Sequence, residues 1–249
     1  MIEIKNINKR FKKQWALNAI TASFQKGQVV SLIGPNGSGK TTLLKSILGL
    51  VRPDSGSIYF QGQLIDRSVA YRKQIGYMPQ IGRYPDNMKI GQLFDMIRSI
   101  RKDHPKSDNE LYAGFGLDGM ADKTMRSLSG GTRQKVSATL AFLFDPDVFI
   151  LDEPTAGLDP LSSEILKEKI LQEKEKGKLV LITSHVLSDL EDLTTDVMYL
   201  HEGKILVHKP FAELQDITGE EKLSKVIAHL MKHSLSLQEN TLSTIPTNK

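Results

Sequence analysis

The sequence predicts an α/β fold: a mostly parallel sheet core, a small antiparallel β-subdomain beside it, and an inserted α-helical subdomain. Three observations carry this. The apolar run Gln28–Ile33 ends in a glycine-rich loop and leads into a helical pattern with Leu43, Leu44, Ile47 and Leu48 on one face. From Val148 onward strand-like and helix-like segments alternate, as they do in parallel sheets covered on both faces. Between these regions, from about Asn87 to Phe144, the chain reads as mostly helical with breaks at Gly114, Gly116 and Gly119.

Taken in order, Ile2–Lys5 and Ser57–Phe60 cluster β-formers and predict the small antiparallel sheet near the N-terminus. The second half of the core is expected as strand Val148–Leu151, helix Leu161–Glu175, strand Leu179–Thr183, helix Val186–Leu193 and strand Val197–Leu200. These segments define a main domain over residues 1–209, with the helical insertion at about 87–144, and a tail over 210–249. In the tail, Leu223, Val226, Ile227, Leu230 and Met231 recur at helical spacing, so Glu221–Lys232 is expected as an amphipathic helix. From Ser234 onward the composition is polar and the end is expected to fray. His229 and His233 are four apart on a polar flank and read as solvated rather than metal-bound.

Composition narrows the function classes. The 249 residues are 39% hydrophobic and 25% charged, ordinary values for an α/β domain with a sizeable core. The longest apolar runs, Ala138–Phe144 and Val148–Leu151, are separated by Asp145, Pro146 and Asp147, so neither approaches the roughly 18 residues of a membrane span. The start MIEIKNINKR lacks the apolar region of a signal peptide. The absence of cysteine excludes disulfides and thiolate metal sites and fits a reducing cytoplasm. A net charge of +4 is mild, and the cluster Lys9–Arg10 with Lys12–Lys13 reads as a solvated turn, so no nucleic-acid partner is expected.

The stretch Gly34-Pro35-Asn36-Gly37-Ser38-Gly39-Lys40-Thr41-Thr42 fits G-x-x-x-x-G-K-[ST] between a predicted strand and a predicted helix. Glycines let the backbone approach a polyphosphate with its N–H groups turned inward, and the helix from Lys40 points its positive pole at the same anion. Lys40 supplies a cation for the β- and γ-phosphates, and the Thr41 hydroxyl can ligate Mg²⁺. Val148–Leu151 is a buried-strand pattern that delivers Asp152 and Glu153 at its carboxyl end, the edge where ligands gather in open α/β sheets. Asp152 can hold Mg²⁺ through its water shell, and Glu153 can orient and deprotonate an attacking water. His185 follows the next apolar strand and can reach the γ-phosphate from there. The phosphate loop alone leaves kinases, GTPases, helicases and transport ATPases open; no N-K-x-D guanine-reading motif is present.

Leu128-Ser129-Gly130-Gly131, just ahead of a helix predicted over Thr132–Phe144 and upstream of VFILDE, resembles the signature of ATP-binding-cassette (ABC) ATPases. The resemblance spans roughly residues 2–208 and implies a P-loop (RecA-like) core that binds ATP and Mg²⁺. In that family the signature segment (Ser129, Gly130 and Gly131 here) caps the γ-phosphate held by the opposite subunit, so two ATP molecules lie in a head-to-tail dimer. By the same resemblance Phe11 stacks on adenine, with Trp15 as a second candidate. Gln80 senses Mg²⁺ and water and hinges the helical subdomain, and Asp159 communicates across the dimer interface. The chain departs from the family pattern at Thr132, where a glutamine is usual; Gln134 matches the later glutamine of the longer pattern.

The resemblance implies a catalytic set of Glu153, His185, Gln80 and Lys40, with Thr41, Gln80 and Asp152 about the metal. It also implies a second ATPase subunit, in the form of a homodimer, and separate transmembrane permease subunits on the inner face of the cell membrane. Permease docking is expected around Gln80–Phe94, including Arg83, Tyr84, Pro85 and Asp86. IGYMPQIGRYPDNM, SGGTRQKV and TAGLDPLSSEILKEKI resemble the copper-processing subtype that accompanies nitrous-oxide reductase maturation. Exporters of drugs, lipids or polysaccharides are the alternative within transport. A soluble mechanical ATPase acting on ribosomes or DNA is the alternative outside it.

Overall fold

The computed structural model describes residues 1–66, 69–101 and 107–242, with side chains as far as Lys232. The His233 side chain, the 102–106 part of the expected helical stretch and the polar end from 243 lie outside the described residues. In chain order the strands are β1 (Ile2–Phe11), β2 (Gln14–Phe24), β3 (Val29–Ile33), β4 (Ser55–Phe60), β5 (Gln63–Leu64), β6 (Ile75–Met78), β7 (Val148–Asp152), β8 (Leu179–Thr183), β9 (Asp196–His201) and β10 (Lys204–Pro210). The α-helices are α1 (Lys40–Ile47), α2 (Ile90–Ile100), α3 (Glu110–Gly114), α4 (Gly130–Phe142), α5 (Pro160–Glu175), α6 (Phe211–Thr218) and α7 (Leu223–Leu242).

Two sheets share the work. The core sheet has the order β10-β9-β3-β8-β7-β6, all pairs parallel except β10 on β9. The other sheet is antiparallel, in the order β2-β1-β4-β5. Successive side chains of a strand point to opposite faces, and here both faces of the core sheet are buried. Val30, Leu32, Val148, Ile150, Leu179 and Leu181 pack toward α1 and the antiparallel sheet. Val29, Phe149, Leu151, Val180 and Ile182 pack toward the helical insertion and the tail. Burial on both sides explains why these strands read as unbroken apolar runs.

The helical insertion is not a loose appendage. Phe142 of α4 stacks on Phe149 of β7 at 4.3 Å, and Ile90, Leu93, Phe94, Leu111 and Phe115 join the same core. Lys169 of α5, almost fully buried, reaches Glu110 at 2.7 Å and Glu173 at 3.1 Å and also pairs with Asp108. Tail residues Leu214, Leu223, Val226 and Ile227 close the same side of the sheet.

Several expectations need correction. The helix expected over Val186–Leu193 is one 3₁₀ turn, Leu187–Asp189. Ser184 Oγ accepts from the Val186 N–H at 3.0 Å, and Asp189 accepts from the Thr155 hydroxyl at 2.7 Å. These side-chain bonds compete with helix formation, while Leu190 and Leu193 reach the core without a continuous helix. The helix expected over Thr132–Phe144 starts two residues earlier, because Ser129 caps it. The sequence patterns also passed over β2, β6 and β10. β2 lies in the antiparallel sheet and β10 at one edge of the core sheet, where half-exposed strands give a weaker signal; β6, at the other edge, is mostly buried but only four residues long. The tail helix expected over Glu221–Lys232, with an end fraying from Ser234, runs instead over Leu223–Leu242, and Met231, expected on its apolar face, is 41% exposed.

Candidate functional site

Because β6, β7, β8 and β3 lie side by side and parallel, their carboxyl ends open on one edge. The Gly34–Thr42 loop follows β3, Gln80 follows β6, Asp152 ends β7 with Glu153 next to it, and His185 follows β8. Together with Phe11, Gln14, Trp15 and Ala16 from the β1–β2 hairpin, residues from all four ends line one cleft of about 310 Å³. The sequence-predicted residues Phe11, Asn36, Gly37, Ser38, Gly39, Lys40, Thr41, Thr42, Gln80, Asp152, Glu153 and His185 are all brought together here.

The loop is shaped for an anion. Gly39 has φ of +108°, a region where a side chain is strained, and a Cβ there would collide with the Ala16 carbonyl. A Cβ at Gly34 would collide with the Leu200 carbonyl, so the close turn requires glycine there too. The start of α1 at Gly39 has no side-chain cap, which leaves its first N–H groups for a ligand. Lys40 is buried, and its Nζ donates to the carbonyls of Gly34 at 2.6 Å and Pro35 at 3.1 Å. Burial lowers the Lys40 pKa from its ordinary value, against the upward pull of the Glu153 and Asp152 carboxylates. Ser38 Oγ is buried inside the loop with no hydrogen-bond partner, an orphan that a phosphate oxygen would satisfy.

The acidic end of β7 is held from the neighbouring strand. Thr183 Oγ1 donates to Asp152 at 2.7 Å, and the Glu153 N–H donates to Thr183 Oγ1 at 3.0 Å. Glu153 has φ of +56°, uncommon for a residue with a side chain. Its carboxylate accepts from the His185 N–H at 3.0 Å, and His185 Nε2 lies 3.2 Å from the other carboxylate oxygen. The Glu153 side chain is 8% exposed and that of His185 52%, so the pair presents one sheltered and one open partner. Thr183 was not singled out from the sequence. Its signal was a lone polar residue closing the apolar strand LVLIT, where it is fully buried.

Mg²⁺ fits this donor set. Thr41, Gln80 and Asp152 line the cleft, and no group of three His, Cys, Asp or Glu able to hold a metal occurs among the described residues. One carboxylate, one hydroxyl and phosphate oxygens suit a cation that keeps much of its water shell. Phe11 and Trp15 both line the cleft mouth, 50% and 42% exposed, with Lys9 and Arg10 over their rings at 5.5 and 5.3 Å.

Gly34 and Pro35, whose carbonyls accept from Lys40, do not themselves line this cleft, nor do Ser129, Gly130, Gly131 and Asp159. Ser129 caps α4, its Oγ accepting from the Thr132 N–H at 3.2 Å and lying 2.9 Å from the Thr132 hydroxyl. Asp159 caps α5 through the Ser162 N–H at 2.9 Å and pairs with Lys135 at 2.8 Å. Its carboxyl is held well below the usual carboxylate range, first by the Lys135 bond and then by Ser162.

Comparison with known proteins agrees with this geometry. The ABC transporter family profile matches residues 17–156. Nod factor export ATP-binding protein I of Burkholderia lata is 33% identical over 88% of this chain and 74% of its own length. Lantibiotic transport ATP-binding protein SrtF of Streptococcus pyogenes is 31% identical over 85% of this chain and 91% of its own. Among solved structures, one described as the ATP binding subunit of an ABC transporter superposes with a TM-score of 0.85 at 27% identity, covering 93% of this chain and 99% of that one. A cassette solved as a dimer in a post-hydrolysis state with ADP and Pi shares the fold, with a TM-score of 0.75 at 22% identity over 84% of this chain and 98% of that one.

The chain belongs to the ATP-binding subunits of ABC transporters. It is an α/β ATPase that works with ATP and Mg²⁺. Subunits of this family dimerise and act with transmembrane components. No helix among the described residues is long and apolar enough to cross a membrane.

Proposed function

We propose that two copies of this chain close head to tail around two ATP molecules and power a separate permease on the inner face of the membrane. Residues 1–209 form the ATPase domain and 210–249 its tail. The convergence of Lys40, Asp152, Glu153 and His185 on one strand edge carries this reading. Lys40 exchanges its loop carbonyls for the β- and γ-phosphates, and the N–H groups of Gly37–Thr42 orient the chain of phosphates. Mg²⁺, held about Thr41, Asp152 and Gln80, would neutralise charge on the β- and γ-phosphate oxygens. Glu153, sheltered and oriented by its two contacts with His185, takes a proton from the water that attacks the γ-phosphorus as the bond to ADP breaks. Phe11 carries the adenine, with Trp15 beside it. Ser129, Gly130 and Gly131, which do not line their own cleft, cap the γ-phosphate of the other copy, and Asp159 lies at that junction.

The transport task is proposed at two levels. IGYMPQIGRYPDNM, SGGTRQKV and TAGLDPLSSEILKEKI favour the copper-processing subtype that serves nitrous-oxide reductase maturation. The relatives named for Nod factor export and lantibiotic transport favour an exporter ATPase as the second reading. Gln80–Phe94 is the proposed permease contact, and its Ile81 side chain is 72% exposed. The test is to tag Glu153→Gln, solubilise membranes of the native host with MgATP, and identify the proteins that co-purify. A multi-span permease is expected. A periplasmic copper protein beside it supports the copper reading, and its absence with a permease present favours the exporter. Ribosomal or DNA-bound proteins without a permease would overturn both.

A further inference from the structure

Gln134 is 6% exposed on α4, and its amide has a specific target. Nε2 donates to the Glu153 carbonyl at 2.9 Å and lies 3.4 Å from the Pro154 carbonyl. Two other residues on the same helical face touch the same loop. A Cβ on Gly131 would sit 2.5 Å from the Gly157 carbonyl, so the backbones are in close contact there. Lys135 pairs with Asp159 at 2.8 Å. Positions 131, 134 and 135 are three and four apart, the spacing that aligns side chains on one side of a helix. The first turns of α4 are thereby fastened along the whole loop from Glu153 to Asp159.

The fastening matters because Glu153 stands in a left-handed conformation that a side chain disfavours and that persists only when its surroundings over-determine it. Its N–H is held by Thr183 and its carboxylate by His185. The carbonyl is held by Gln134. Removing that donor would leave a buried acceptor unsatisfied; because Pro154 fixes φ on the far side of that peptide, relief must come from the backbone angles of Glu153 itself, which set the direction of its carboxylate.

We propose that Gln134 is a positioning residue for Glu153, and that through it the Ser129–Gly131 end of α4 and the carboxylate of the same chain move together. In a head-to-tail pair, engagement of one copy's nucleotide by α4 of the other would then set the carboxylate in that other copy's own cleft. This rests on the reading of Glu153 as the base. The test compares Gln134→Leu, Gln134→Glu and Glu153→Gln in the full chain, by thermal unfolding, affinity for a fluorescent ATP analogue, and steady-state ATP hydrolysis. Gln134→Glu keeps the length of the side chain but, when ionised, has no donor. Both Gln134 variants should fold, bind nucleotide with near-normal affinity and keep KM within about threefold. Their kcat should fall about tenfold to a hundredfold, the scale of an ångström-sized misplacement. Full kcat in either folded Gln134 variant, or failure of both to fold, overturns the coupling. Full turnover in Glu153→Gln removes the base reading instead, and so tells the two failures apart.

Discussion

The chain contains two glycine-rich turns that each open a helix, and they are built for different tasks. At Gly39 the start of α1 has no side-chain cap, with a buried lysine and an orphaned serine hydroxyl beside it. At Ser129 the start of α4 is capped by its own serine, has no lysine within the turn, and lies outside the cleft. Both ends carry the positive pole of a helix. Only the first supplies enough donors, charge and walls to hold a polyphosphate alone. The second lines no part of that cleft, which is why it is proposed to act on another copy.

The largest test of this division is Glu153→Gln. It should leave nucleotide affinity intact and lower turnover by about 10²–10⁴-fold, the scale of a general base. Unchanged turnover in a hydrolysis assay would break the assignment. Lys40→Ala comes next. Loss of charge-assisted bonds worth about 1.5–3 kcal/mol should raise the dissociation constant for ATP roughly tenfold to a hundredfold by calorimetry. The same affinity in this variant would mean that the α1 turn is not the self-sufficient site.

At the second turn the expected effects are smaller and of another kind. Gly131→Ala places a methyl group against the Gly157 carbonyl. Overpacking of this sort should lower stability by about 1–3 kcal/mol, seen by denaturant unfolding, while a single chain still binds nucleotide normally. Ser129→Ala removes the cap of α4 and should cost about 1 kcal/mol in the same measurement. Its loss of ATP-dependent dimerisation, read by light scattering, should exceed what that stability change explains. If Ser129→Ala weakened nucleotide binding by the isolated chain, the two turns would be acting on one cleft and the contrast would fail.

Much of the candidate site was legible because each of its cleft-lining residues stands in a short local pattern: a glycine loop before Lys40, an apolar strand before Asp152, another before His185. Such patterns survive in sequence because backbone approach and strand burial constrain residue type locally. Other features were not legible. Thr183 closes a strand like many threonines do, and only the pairing of β7 with β8 brings it to Asp152 and Glu153. The 3₁₀ turn at Leu187–Asp189 carries helical spacing, but the distant Thr155 hydroxyl engages Asp189 and the chain does not continue as a helix.

The sequence by itself determined the class of chemistry, the parallel core and the residues proposed to meet phosphate, since those depend on contacts along a strand, a turn or a helix start. Tertiary structure alone decided the order β10-β9-β3-β8-β7-β6, the exclusion of Ser129 from its own cleft and the bond from Gln134 to the Glu153 carbonyl. Those depend on which segments distant in the chain are packed together, which no pattern along a single strand, turn or helix records.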